Sequence, residues 1–139
     1  MKQLFISFIA AAMLFSACSQ PGNSGSGNTA GTASGAPVMK FEKESHDFGK
    51  IKVGDIVSYD FKFSNTGKSP LIITDGYASC GCTKPAWPKT PIKPGESGVI
   101  HVTFDSKTKM GLQDKLITIT ANTTPAQNQV HLIGEVLVK

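Results

Sequence analysis

Val57-Ser58-Tyr59-Asp60-Phe61-Lys62-Phe63-Ser64 is the stretch that decides the fold class. Apolar and polar residues alternate through it without a break, the pattern of a strand with one face in a core and the other in water. The period of two recurs outward along the chain. Ile100, Val102 and Phe104 alternate with His101 and Thr103, Ile117, Ile119 and Ala121 share a face within Lys115 to Asn122, and Val130, Leu132, Val136 and Val138 share another that Gly134 interrupts. Further strands are predicted around Met39 to Asp47 and Leu71 to Tyr77. Asn65-Thr66-Gly67, Asp75-Gly76, Pro94-Gly95 and Asn122-Thr123-Thr124-Pro125 supply turn residues between them. No stretch carries a helical stripe. About seven short strands in a segment of this length predict an all-β, antiparallel sandwich of immunoglobulin-like architecture. The tryptophan between two distant cysteines that marks antibody domains is missing.

The domain occupies residues 38–139, enough for one core. Ahead of it the composition changes twice. Lys2 and an apolar run from Leu4 to Phe15 lead into Ser16-Ala17-Cys18, which looks like a bacterial lipoprotein signal peptide over residues 1–17. In that reading cleavage precedes Cys18, the cysteine carries acyl chains, and the rest faces the periplasm or the cell exterior. Secretion of an unlipidated protein cut near Ala17 is the competing expectation. The run is too short, and too interrupted by Ser7, to favour a membrane-spanning helix. Residues 18–37 form the linker. From Ser19 to Ala36 it has no charge and nothing apolar larger than alanine or proline, so it is read as a flexible tether with a reach of about 25 Å.

All fourteen basic residues are lysines, and the formal charge of +4 includes Lys2 of the leader. Without the bidentate fork of arginine or a dense lysine run, nucleic-acid binding is disfavoured. The sequence holds no glycine-flanked nucleophilic serine, phosphate loop or His-Glu zinc helix, and its aspartates are scattered singly, so no enzyme is expected.

Ser79-Cys80-Gly81-Cys82-Thr83-Lys84-Pro85 is the strongest local signal. Three chemistries are open to Cys80 and Cys82. They can close a small disulfide, with Gly81 easing the backbone; they can bind a soft ion such as copper(I), or serve in thiol redox; or they can simply pack as part of a loop. An oxidising compartment favours the loop or the disulfide over the metal or redox site. Trp87 follows, flanked by Pro85, Pro88 and Pro91, and is either a binding-loop anchor or, as favoured here, a cap on the core. His101 and His131 fall on outward strand positions. His46 is expected to fix the turn out of the first strand.

His46-Asp47-Phe48-Gly49, Asn65-Thr66-Gly67, Pro70-Leu71, the Cys80-Gly81-Cys82 element, Pro94-Gly95 and Gly134 together resemble a family of bacterial envelope proteins known as domain of unknown function 1573. The resemblance runs from Phe41 to Val138. It implies an immunoglobulin-like fold akin to domains of ciliary and centrosomal proteins, and brings no activity, ligand or residue role. The chain is therefore expected to be a non-enzymatic, lipid-anchored binding module whose partners are the membrane, through its lipid, and an envelope protein or glycan. The alternative is a thiol-redox or copper-binding protein using Cys80 and Cys82.

Overall fold

The computed structural model describes residues 35–138; the leader, Cys18 and most of the tether lie outside them. Eight strands follow in chain order: β1 (Met39–Phe41), β2 (Ser45–Lys52), β3 (Ile56–Asn65), β4 (Ile73–Ala78), β5 (Thr83–Ala86), β6 (Ser97–Asp105), β7 (Gly111–Ala121) and β8 (Gln127–Leu137). They form two four-stranded sheets, ordered β1-β3-β6-β5 and β2-β8-β7-β4. The alternating faces named above meet between them. Phe61, Phe63, Ile100, Val102 and Phe104 of one sheet oppose Ile117, Ile119, Val130, Leu132 and Val136 of the other, all essentially inaccessible. Burying each such side chain is worth about 1.5–3 kcal/mol, which is what holds two sheets face to face.

The predicted sandwich is present, with three differences in detail. The expected first strand, Met39 to Asp47, is two strands in different sheets. β1 lies antiparallel to β3, the chain then crosses at Glu42-Lys43-Glu44, and β2 continues in the same direction beside β8. Because it does not reverse, β2 pairs with β8 in parallel, so the sandwich is not wholly antiparallel. Asp75-Gly76 is not a turn but part of β4, at a register shift between Ile73 and Asp75. A Cβ on Gly76 would sit 2.8 Å from the Trp87 ring, so the glycine is there to admit the indole rather than to reverse the chain. The third difference is β5, which has no apolar alternation and pairs with β6 from Thr83 to Ala86.

His46 does not fix a turn. Its ring stacks on Tyr59 of β3 at 3.5 Å between centroids and 7° between planes, closing the lateral seam between the sheets where β1 has ended. Desolvation, helped by Lys43 and opposed by Asp47, lowers its pKa from 6.5. The fold thus prefers neutral His46, and the unfolded chain binds the proton more readily. Stability from this stack is present above pH 6.5 and is lost as the pH falls through the lowered value. His46→Phe should flatten the decline between pH 7 and pH 5 in urea titrations; an unchanged slope would place the pH dependence elsewhere.

The strand directions give the sandwich two poles. At one lie the end of β3, the β7–β8 turn and the entering segment, where Ser69 Oγ donates to Gly35 O and Lys68 N–H donates to Ala36 O at 3.3 Å. At the other lie the start of β3, the ends of β2, β6 and β8, and the start of β7.

Candidate functional site

Cys80 and Cys82 sit where the chain passes from one sheet to the other. β4 ends at Ala78, Ser79 N–H donates to Leu116 O at 2.9 Å, and by Thr83 the chain is paired to β6. A tight turn makes the passage: Thr83 N–H donates to Cys80 O at 3.2 Å, and Asp105 N–H donates to Cys82 O at 2.9 Å. The two sulfurs are joined in a disulfide across this turn, with Cα atoms 5.3 Å apart. Buried Thr83 lies below, its hydroxyl 3.7 Å from one sulfur and 3.8 Å from the other. Gly81 is exposed at the tip, with open space where a side chain would stand and no left-handed backbone angle.

The disulfide is the oxidised form of the pair, and copper(I) would bind the two thiolates formed on its reduction. Among the described residues no group of three or more His, Cys, Asp and Glu side chains converges on a metal position. A ring this small removes little entropy from the unfolded chain, about 1.5 kcal/mol by loop-closure scaling. Cys80→Ser or Cys82→Ser should therefore lower unfolding stability by no more than about 2 kcal/mol in urea melts. A loss several times larger would mean that the corner, not the covalent link, is what the substitution breaks.

Beneath the corner the core ends in a charged side chain. Lys115 occupies the inward series continued backward from Ile117, and its ammonium lies 5.5 Å from the centre of the Phe104 ring. Desolvation lowers its pKa, Lys109 adds to the effect and Asp114 opposes it. The sequence carried the signal for this residue, since it stands two positions before Ile117 in the alternation. A cleft of about 500 Å³ opens beside the disulfide, lined by Ile56, Gly81, Cys82, Lys84, Thr103 and Lys107 among others.

Trp87 packs on the core across Gly76, with Lys89 Nζ 3.4 Å from the centre of its ring. Its indole N–H is buried with no acceptor among the described residues. Held between a glycine and a lysine, the ring lies flat against the sandwich beside β4 and β5. His101 and His131 do point outward, each against a cross-strand carboxylate: His101 Nδ1 is 2.6 Å from Asp60 and His131 Nδ1 is 2.8 Å from Asp114. Sequence reading did not identify these pairs, because the partners lie on neighbouring strands.

Among the described residues, five of the nine exposed large apolar side chains, Ile56, Met110, Leu112, Leu137 and Val138, lie at the pole that also carries the disulfide corner. Leu112 is 86% exposed and Met110 67%. This pole is opposite the one at which Gly35 enters.

A family model described as "Protein of unknown function (DUF1573)" matches residues 39–136. Among solved structures, a protein of unknown function from Porphyromonas gingivalis W83 is 20% identical with a TM-score of 0.64, over 78% of this chain and 51% of that one. The PapD-like domain 7 of human CEP192 is 8% identical with a TM-score of 0.58, over 96% and 99% of the two chains. The secreted serine protease VesC from Vibrio cholerae is 12% identical with a TM-score of 0.56, over 75% of this chain and 23% of that one. At such identities the likeness is one of fold alone. This chain spans about half of the Porphyromonas protein and less than a quarter of VesC. No curated protein matches it in sequence. The motifs of its turns, its Cys-Gly-Cys corner and the family model reaching from the first residue of β1 into β8 lead to one assignment: the chain belongs to the DUF1573 family.

Proposed function

We propose that this protein is a non-enzymatic, lipid-anchored component of the bacterial envelope, and that its sandwich binds another envelope protein through the pole opposite the tether. The observation that carries the reading is the domain's polarity. The segment leading from Cys18 joins at the Asn65 pole, and exposed Ile56, Met110, Leu112 and Val138 collect at the other. Several large apolar side chains exposed at one end of a small domain suit association with a partner, and their apolar character favours a protein over a glycan. An uncharged linker ahead of the domain lets that pole turn toward a partner while acyl chains on Cys18 hold the molecule at a membrane face.

Intact mass of the native protein and capture from envelope extracts test this together. Expected are an N-terminal Cys18 carrying acyl mass, and a partner retained by the full chain but lost from Met110→Glu/Leu112→Glu. Native protein that begins at Met1 in the cytosol would overturn the anchoring. A captured partner indifferent to the double variant would overturn the assignment of the pole.

A further inference from the structure

β3 is longer than the strand beside it. β1 covers only Phe63 to Asn65, and the last bond on that side is from Glu42 N–H to Lys62 O at 3.0 Å, after which the chain leaves for the other sheet. From Ile56 to Phe61, β3 is paired only on its β6 side among the described residues. Which backbone groups this uncovers follows from the register. Asn65 N–H donates to Glu96 O, and Ser106 N–H donates to Asp55 O, so the odd-numbered residues of β3 turn their backbone groups toward β6. Lys62 and Thr66 bond the β1 side, so the even-numbered residues face the other way. The N–H and C=O of Ser58 and Asp60 therefore point into the space β1 has vacated. A groove of about 630 Å³ lies there, bordered by Glu42, Lys43, Ser58, Tyr59, Asp60 and His101 among others.

The other margins are guarded. β5 carries Pro85, which has no N–H to offer, and β2 is bent by a register shift between Asp47 and Lys50. β4 is shifted between Ile73 and Asp75. The open half of β3 is regular in register throughout.

We propose that this edge is a strand-accepting site, and that its ligand is an extended segment of a partner polypeptide which continues the line of β1 along Ile56–Phe61. A donor and an acceptor on each of two alternate residues, about 6.8 Å apart along the strand, match a peptide backbone in extended form and not a glycan or a lipid headgroup. Side chains of the added strand on the inner side would meet the His46–Tyr59 stack, and those on the outer side Ser58 and Asp60. A second copy of this chain fits less well. Glu42 already occupies the place opposite Lys62, which leaves two such edges only a few residues in which to pair, far short of the area a stable dimer buries. The inference stands apart from the binding pole, since the edge exists whatever Cys18 carries and whatever Leu112 touches.

Backbone amide exchange of the full chain, with and without the blocked peptide acetyl-Thr-Lys-Val-Lys-Thr-amide, tests it. The free protein should exchange the Ser58 and Asp60 amides at least about ten times faster than those of Tyr59 and Phe61, and saturating peptide should slow both by a similar factor. The same peptide N-methylated on alternate residues should have no effect, because it keeps the charges and loses the donors. Ser58→Pro removes one edge donor without touching the β6 ladder and should abolish protection at Asp60. Should that variant fail to fold, the methylated peptide alone decides. Ser58 and Asp60 amides already protected in the free monomer, protection that appears only with dimerisation on raising the protein concentration, or equal effects of the two peptides would each overturn the proposal.

Discussion

Asn65→Asp is expected to cost the domain about 4 kcal/mol at neutral pH, a fall in Tm on the order of 20 °C for a domain of this size. Asn65 is completely buried, and its side-chain amide is satisfied on every side. The carbonyl oxygen accepts from Val38 N–H at 3.2 Å and Gly67 N–H at 3.0 Å, and the NH₂ donates to Ser69 O at 2.8 Å and Ile92 O at 3.0 Å. One side chain thus ties the strand entering β1, the β3–β4 turn and the Ile92 segment at the pole where the linker arrives. Aspartate keeps the shape and replaces the donor with an acceptor, so two carbonyl oxygens face a buried carboxylate. The sign of the pH dependence separates this cause from a mere change of volume. The buried carboxyl is easier to protonate in the folded state than in the unfolded chain, its folded pKa is raised, and stability is lost as the pH rises through that raised value. Urea melts at pH 4 and pH 8 should show the gap from the parent narrowing at the lower pH. A gap that stays constant would mean that the carbonyls are not what the substitution offends.

How the sequence announces these features varies with their physical origin. β3, β6 and β7 are legible because burial on one face imposes a period of two, and nothing else in the chain produces that period. The crossover from β1 to β2 is a tertiary event, yet Glu42-Lys43-Glu44 breaks the alternation at the place where the chain changes sheets. Asp75-Gly76 looks like a turn because its residues suit one. What decides the outcome is the indole of Trp87 eleven residues later, which takes the space that any Cβ at Gly76 would fill. The Cys-Gly-Cys element is conspicuous as composition, while its position at the passage between sheets depends on both strands that flank it. Local pattern has still less to say about the open half of β3. That edge exists because a different strand, β1, stops after three residues.

The motif His46-Asp47-Phe48-Gly49 acts together with Gly134, and Gly134→Ala should destabilise the domain by about 2 kcal/mol although it adds one methyl group. Between Asp47↔Ile133 and Lys50↔Glu135 the register shifts, so Phe48 and Gly49 on β2 oppose Gly134 alone on β8. Gly49 takes a positive φ of 73°, and Asp47 Oδ1 accepts its N–H at 2.7 Å, which holds the bulge. The bulge lays the Phe48 ring directly on the bare Cα of Gly134. On its other side the ring meets Phe104, with centroids 5.6 Å apart, so it has no room to retreat from a new Cβ without leaving the core. The test is a double-mutant cycle. If the collision with Phe48 is the larger part of the cost of Gly134→Ala, then once Phe48→Ala has removed the ring, adding Gly134→Ala should cost distinctly less than it does in the parent, the remainder coming from the positive φ of 157° that a side chain at this position takes up with strain. Strictly additive losses would show that the penalty lies in the β8 backbone, and that Phe48 and Gly134 are neighbours without being partners.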